Sequence, residues 1–339
     1  MADISCDIVV VGAGVLGLSV AAELTARGHD VRVVDPGLPN ASAVAAGMIA
    51  PAFESLLDGV DAERATLLKD AGALWPRFAD RFGIVLDTTP AEWRGEDAEP
   101  VKAALTALGF PVEGKACVRA PDDVRVDAAS TLETLAAGLG TPVIMAKASS
   151  VTGTPVGWRV ETTGRAIDAR HVVLATGAAA AVSGLPAIAS TIVDAIQPIS
   201  GQIGRVVQPL TDRVLRRRGG YVAPVEGGAL IGATMVFGSR DAAPDPAASA
   251  RLAAAAGRML GIEAPVEIQW RGGVRGATAD GLPLAGPVGS SLHLALAPRR
   301  NGWLMGPLVG RIVADGIEGR PRGPHAAALD PLRFSLLGG

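Results

Sequence analysis

Gly12, Gly14 and Gly17 follow a run of β-branched residues, and the carboxylate of Asp35 follows them about 20 residues on. Those residue types at that spacing can hold a dinucleotide pyrophosphate. The first glycine allows a tight turn and the second lets backbone N–H groups approach phosphate. The third lets the following helix lie against its strand. A carboxylate at the end of the next strand can accept both hydroxyls of an adenosine ribose and would repel a 2′-phosphate, so the ligand is FAD or NAD and not NADP. The contact set is Gly12, Ala13, Gly14, Val15, Leu16, Gly17 and Asp35.

The elements that must position this set read directly from the pattern. Asp7 to Val11 is an apolar strand of the kind buried on both faces of a parallel sheet. Leu18 to Thr25 is a helix that stops at Arg27-Gly28, and Val31 to Val34 is the second strand. A second informative stretch is His171 to Ala178. It is another buried strand, and it ends in Ala175-Thr176-Gly177, a side-chain-poor turn at the carboxyl edge of the sheet, where open α/β sheets bind ligands. NAD dehydrogenases do not need that second turn, so it favours FAD. Between the two, Ala41 to Pro51 is nearly all small residues around Met48, which lets backbone pass close to a planar ligand.

The totals bound the function. The chain has 339 residues, 49% of them hydrophobic and 19% charged, with 43 glycines and a net charge of -3. That suits a close-packed α/β enzyme of about two domains. It offers no basic face for nucleic acid, because phosphate neutralisation needs clustered Lys and Arg. The one basic run, Arg216-Arg217-Arg218, reads as a solvated turn. Cys6 and Cys117 have neither disulfide nor metal spacing, and His29, His171 and His293 form no cluster, so no metal is expected and a reducing cytoplasm is the expected compartment. No apolar run is long enough to span a bilayer.

Further along, Ala62 to Phe82 has the spacing of one helix stopped by Gly83. Ala128 to Leu139 is a helix, Val143 to Ala146 a strand, and a hairpin surrounds Thr154 to Gly157. Gln197–Val207, Gly220–Pro224, Ala229–Thr234 and Pro265–Arg271 alternate as antiparallel strands, with a helix over Pro246 to Leu260. Arg275 falls in the Gly-rich stretch Gly272 to Pro283, read as a turn. Leu292 to Ala297 is a strand and Leu304 to Ile317 a helix with Pro307 in its first turns, before a Pro- and Gly-rich tail expected to be loosely held. The fold class is therefore α/β. Residues 1–86, 122–195 and 273–335 are assigned to a discontinuous Rossmann-like, two-dinucleotide-fold domain for FAD. Residues 87–121 and 196–272 are assigned to a second, mainly antiparallel-sheet substrate domain.

Four separated pieces, in this order and spacing, resemble the D-amino-acid oxidase family of flavoproteins, and its glycine oxidase branch, which serves thiamin biosynthesis, most of all. They are the first strand-turn-helix-strand unit, Ala46 to Pro51, Tyr221-Val222-Ala223-Pro224 leading to Ile231 to Met235, and Arg275 to Pro283 with Arg300-Asn301-Gly302. The resemblance implies FAD-dependent oxidative deamination of glycine or another small amino acid or amine. A hydride passes from the α-carbon to flavin N5, giving an imine and then an oxo acid, with oxygen or another carrier as electron acceptor. It implies that Arg275 pairs with the substrate carboxylate, that Tyr221 hydrogen-bonds the same group, that Arg300 is the second arginine, and that Met48 and Met235 line the apolar wall. A guanidinium fork suits a carboxylate because two parallel N–H bonds fix its orientation. Beyond the glycine turn and Asp35, the implied cofactor contacts are Pro36, Ser42, Ala46, Gly47, Met48, Thr176, Gly177, Arg300, Asn301, Gly302 and Trp303. The helix after Gly302 can stabilise charge on the N1 and C2 carbonyl side of the flavin.

The chain departs from the family at two places. Asp35 stands where many relatives carry Glu, and Ala297-Pro298-Arg299 stands where they often have Gly-His-aromatic. Neither cysteine sits where sarcosine-oxidase relatives attach flavin, so the FAD is expected to be noncovalent. Two other readings stay open, a dehydrogenase with a non-oxygen acceptor and a flavin-binding module without turnover, and a homo-oligomer is compatible with either. Arg275 together with Tyr221 favours an enzyme, since a holder of FAD has no need of both.

Overall fold

The computed structural model describes residues 3–37, 40–95, 97–114, 117–178, 182–264 and 267–334. The chain divides into two compact units. One comprises Met1–Asn40, Leu132–Pro198 and Arg275–Gly339, and the other Ala41–Thr131 and Ile199–Val274.

The first unit is built on an eight-stranded mixed sheet. Its spine is parallel: Leu292–Leu296, Ile167–Leu174, Ile4–Val11, Val31–Asp35 and Ile144–Met145 lie side by side. Leu284–Gly289 closes one edge antiparallel to Leu292–Leu296, and the hairpin of Ala148–Thr154 with Gly157–Thr162 adds to Ile167–Leu174. Val9, Val11, Val172, Leu174, Leu294 and Leu296 belong to the core on one face. These residues are β-branched or Leu because both faces of a parallel sheet are covered and no polar alternation is possible. The helices Val15–Ala26 and Gly302–Ile317 pack together, and glycines permit it: a methyl on Gly310 would press on the carbonyl of Ser19 and one on Gly306 on its hydroxyl.

The second unit has an eight-stranded sheet in the order Val236–Phe237, Gln197–Val206, Gly228–Gly232, Gly220–Val225, Leu215–Arg217, Ala91–Trp93, Val118–Ala120, with Gln269–Ala277 also on Gln197–Val206. Antiparallel pairs dominate, and Leu215–Arg217 with Ala91–Trp93 is parallel. The two faces alternate as a pleat demands. Leu215, Val222 and Ile231 face Leu252, Ala256 and Met259 of the helix Pro246–Leu260. Ala223 and Leu230 face the other way, toward Phe53, Trp93 and Leu105. A small antiparallel sheet joins Met48–Ile49, Val124–Val126 and Leu86–Asp87.

Several sequence expectations change. Ala62 to Phe82 is two helices, Ala62–Ala73 and Trp75–Phe82, because Pro76 in the first turn of the second lacks the N–H that would continue the first. Gly83 does cap the second in the left-handed region, at φ 67°. The 302–317 helix starts earlier than expected, so Pro307 is an interior residue. The tail through Phe334 is anchored, not loose. Leu329 is fully buried, Arg322 pairs with Asp330 at 3.2 Å, and Arg333 with Asp280 at 2.8 Å. Arg216 is no solvated turn residue. It lies in the strand Leu215–Arg217 and is 4% exposed.

Candidate active site

In the first unit the carboxyl ends of three strands bring the glycine turn, Asp35 and the Ala175-Thr176-Gly177 turn together. The N–H of Gly12 donates to the Val34 carbonyl at 2.8 Å, and that of Ala175 to the Val11 carbonyl at 2.8 Å. Gly12 has φ 113°, and a Cβ there would overlap the Ala175 carbonyl. A Cβ on Gly17 would overlap the Gly12 carbonyl, so no side chain is tolerated at either position. Asp35 braces the same turn: Oδ2 accepts the Ala13 N–H and Oδ1 the Gly37 N–H, both at 2.8 Å. Pro36 beside it is exposed, and Val15 and Leu16 are buried in the helix start.

Arg275 is not in a turn but in the strand Gln269–Ala277, half-buried. Its neighbour Gly276 passes so close that a Cβ would stand 2.9 Å from Ile196 and 3.4 Å from the Gly177 carbonyl, which explains a Gly-rich sequence in extended backbone. The Gly276 carbonyl accepts the Arg299 N–H at 2.9 Å, so the backbone holds Arg275, Gly177 and the 297–300 loop as neighbours. That loop carries Ala297 at φ 56° and Arg299 at φ 53°. Two non-glycine residues in the left-handed region store strain of the kind that concentrates at ligand sites. They stand where the sequence departs from the Gly-His-aromatic pattern. Arg300 is half-buried, Asn301 is 7% exposed and Trp303 4% exposed.

In the second unit Met48 and Tyr221 are brought near each other, through a residue the sequence reading missed. Arg216 donates from Nη2 to Glu54 Oε1 at 2.9 Å and from Nη1 to Met48 Sδ at 3.5 Å, and its guanidinium carbon lies 6.0 Å from the Tyr221 ring centroid. Glu54 is in the first turn of the helix Pro51–Asp58. The carboxylate of Asp123 holds the start of that helix by accepting the Ala52 and Phe53 N–H groups at 2.8 and 2.9 Å. Burial pushes the Asp123 carboxyl up to about 7, against the pull of those two N–H groups and of Arg216. Ala46 is buried. A Cβ on Gly47 would overlap the Val126 carbonyl, so its bare backbone serves strand pairing. Ser42 lies in a short helix, Ala41–Val44, and its carbonyl accepts the Ala45 N–H at 3.3 Å. Met235, expected in a strand, lies half-buried after the strand ends at Gly232.

Among the described residues no group of three or more His, Cys, Asp or Glu is placed to hold a metal. His29 pairs with Glu318 at 3.1 Å. The rings of His171 and His293 lie 5.8 Å apart, and burial pushes His293 down to about 3, which keeps it neutral.

The first unit fits FAD on three observations: the side-chain-free cradle at Gly12 and Gly17, the start of the helix Val15–Ala26 with no side-chain cap and no acid in its first turn, and the buried Asn301 Oδ1, which has no partner among the described residues. A family model described as FAD dependent oxidoreductase (DAO) matches residues 7–316. The chain belongs to that family. FAD is therefore its cofactor, and it is an oxidoreductase similar to glycine oxidase. Glycine oxidase of Geobacillus kaustophilus is 29% identical over 97% of this chain and 96% of its own length. The crystal structure of glycine oxidase from that organism superposes with a TM-score of 0.81 at 25% identity, over 97% of this chain and 99% of the other. The bifunctional protein ThiO/ThiG of Trichormus variabilis is 28% identical over 97% of this chain, which spans 55% of that protein. L-proline dehydrogenase from P. horikoshii shares the fold, with a TM-score of 0.80 at 19% identity over 99% of each chain. No helix among the described residues is long and apolar enough to cross a membrane.

Proposed function

We propose that this protein oxidises glycine or another small amino acid to the imine, which water hydrolyses to an oxo acid and ammonia. Likeness to glycine oxidase over nearly the whole length of both chains carries this reading. Bound FAD supplies the two-electron oxidant. Arg275 pairs with the substrate carboxylate, and the fork of its guanidinium fixes the orientation of the α-carbon. Tyr221 donates a hydrogen bond to that carboxylate, Arg300 contributes the second guanidinium, and Met48 and Met235 give the apolar wall that keeps the substrate small. The amine loses its proton in a water-poor pocket that lowers its pKa, so no strong base is required of the chain. Asp35 and the glycine turn would hold the adenosine and pyrophosphate portion of FAD, Thr176 and Gly177 would add contacts to the cofactor, and the start of the 302–317 helix would offer its dipole to negative charge. FAD is held without a covalent bond, oxygen is the acceptor, and the likeness to ThiO/ThiG supports a place in thiamin biosynthesis.

An anaerobic screen tests the reading. Glycine, sarcosine or D-alanine is expected to bleach the flavin, and readmitted air to restore its colour with formation of peroxide. Faster bleaching by large aromatic D-amino acids would sink the assignment. Bleaching that air does not reverse, and that an artificial dye does, would make the protein a dehydrogenase.

A further inference from the structure

We propose that Arg216 is a positioning residue for the substrate site: its guanidinium, anchored by Glu54, fixes the Tyr221 ring and the Met48 side chain, and through Tyr221 it sets the affinity for the substrate carboxylate. The proposal rests on the role given above to Tyr221.

The strand pairing places Arg216 directly opposite Tyr221, so both side chains rise from the same face of the sheet. Tyr221 is in turn opposite Gly232, where a Cβ would overlap the tyrosine ring. The ring therefore lies across bare backbone on one side, with the guanidinium on the other, within about 6 Å, the range of a cation–π contact. The same guanidinium reaches Met48 Sδ and Glu54 Oε1. Glu54 is fixed because Asp123 pins the first turn of its helix. Two neighbouring segments, the Met48 strand and the Glu54 helix, are thus tied at one side chain to the Tyr221 strand, more than 160 residues away.

Stability alone does not account for this arrangement. A buried ion pair is as a rule no more stabilising than well-packed apolar residues of the same volume. This one is also poorly satisfied. A thioether is a weak acceptor, and Arg216 Nε is buried with no partner among the described residues. A cation kept under those conditions next to the only tyrosine of the chain has a use that apolar packing cannot supply. It holds the ring in one orientation and polarises its hydroxyl for donation to an anion.

The single tyrosine makes the test direct. Ring-labelled tyrosine in the FAD-loaded protein gives one set of NMR resonances, to be followed in wild type, Arg216→Lys, Arg216→Met and the double variant Arg216→Met/Glu54→Leu. Arg216→Met alone removes the cation that pairs with the buried Glu54 carboxylate. The double variant removes both charges at similar volume and keeps the test available if the single one fails to fold. The expected result is a shifted or doubled Tyr221 resonance in the Met variants. Acetate binding, read from the flavin absorbance change, should be about tenfold weaker, with FAD content unchanged and partial recovery in Arg216→Lys. Adding Tyr221→Phe to the double variant should then weaken acetate binding no further, as coupled residues require. An unchanged Tyr221 resonance in the folded variants, or effects of the two sites that multiply, overturns the proposal. Wild type that binds acetate while no amino acid reduces its flavin overturns the functional reading instead, and both readouts for Arg216 still stand.

Discussion

Replacing Asp35 by Ala removes one carboxylate that does two jobs in the first unit. Its oxygens accept the N–H groups of Ala13 and Gly37, each at 2.8 Å, which ties the glycine turn to the end of the second strand. In the proposed complex the same carboxylate has lone pairs left for ribose hydroxyls. A hydrogen bond to a charged group is worth about 1.5 to 3 kcal/mol, so losing even one ribose contact should weaken FAD binding about 10- to 140-fold. Loss of the two backbone bonds adds a second effect, on the apoprotein itself. The Ala13 N–H loses its carboxylate partner, and the unbraced turn should lower the apoprotein melting temperature as well. Asp35→Asn separates the two effects. It keeps one acceptor oxygen for a single N–H and turns an amide donor toward the other, so its melting temperature should fall between those of wild type and Asp35→Ala. Titration of apoprotein with FAD, followed by flavin fluorescence, gives the dissociation constants, and calorimetry of the same samples gives the stability. A dissociation constant for Asp35→Ala within about twofold of wild type would refute the reasoning. It would mean that the carboxylate braces backbone and touches no ligand.

Gly17→Ala should abolish FAD retention, since its methyl overlaps the Gly12 carbonyl and can be relieved only by moving the helix off the turn; recovery of yellow protein at wild-type yield would contradict this. Arg275→Lys keeps the charge but loses the planar fork, and Arg275→Ala leaves the carboxylate without its partner. The alanine variant should raise the half-saturating substrate concentration by the equivalent of about 2 kcal/mol or more with FAD content unchanged, as stopped-flow reduction will show. Asp123 makes stability pH-dependent with a definite sign. Its carboxyl titrates at about 7 in the folded protein against 3.8 ordinarily, so the folded form holds a proton that the unfolded form has already released between those values. Its contribution is full below about 4 and is lost as pH rises through about 7. Asp123→Asn should therefore show a smaller fall in melting temperature than wild type from pH 5 to 8. Parallel melting curves for the two proteins would mean that Asp123 is ionised throughout.

Much of the first unit was legible because its constraints act over short sequence distances. A strand buried on both faces must be apolar throughout, and a turn at φ 113° must be Gly, so Ile8 to Val11 and Gly12 announce themselves. The carboxyl end of Ile167–Leu174 was legible for the same reason. Elements governed by distant partners were not. The tail composition suggests a loose chain, yet Arg333 reaches back 53 residues to Asp280, and no local pattern encodes that pair. The Gly-rich stretch around Arg275 reads as a turn because glycine has two uses, and here close backbone approach, not a bend, explains Gly276.

The second unit gives the sharper case. Three consecutive arginines read as solvated because burying one guanidinium costs several kcal/mol unless a carboxylate meets it, and the carboxylate here is 162 residues away. A weaker signal was nevertheless present. Gly219 supplies the glycine that a tight hairpin needs, at φ 85°, and a two-residue turn over Arg218 and Gly219 puts Arg217 opposite Gly220 and Arg216 opposite Tyr221, as the strands are in fact paired. Once that register is written down, side-chain alternation places Arg216 on the face of Tyr221 and Leu215 on the opposite face, against Leu252 and Met259. The need for a buried anion then follows from the sheet, and Glu54 is the group that the fold supplies.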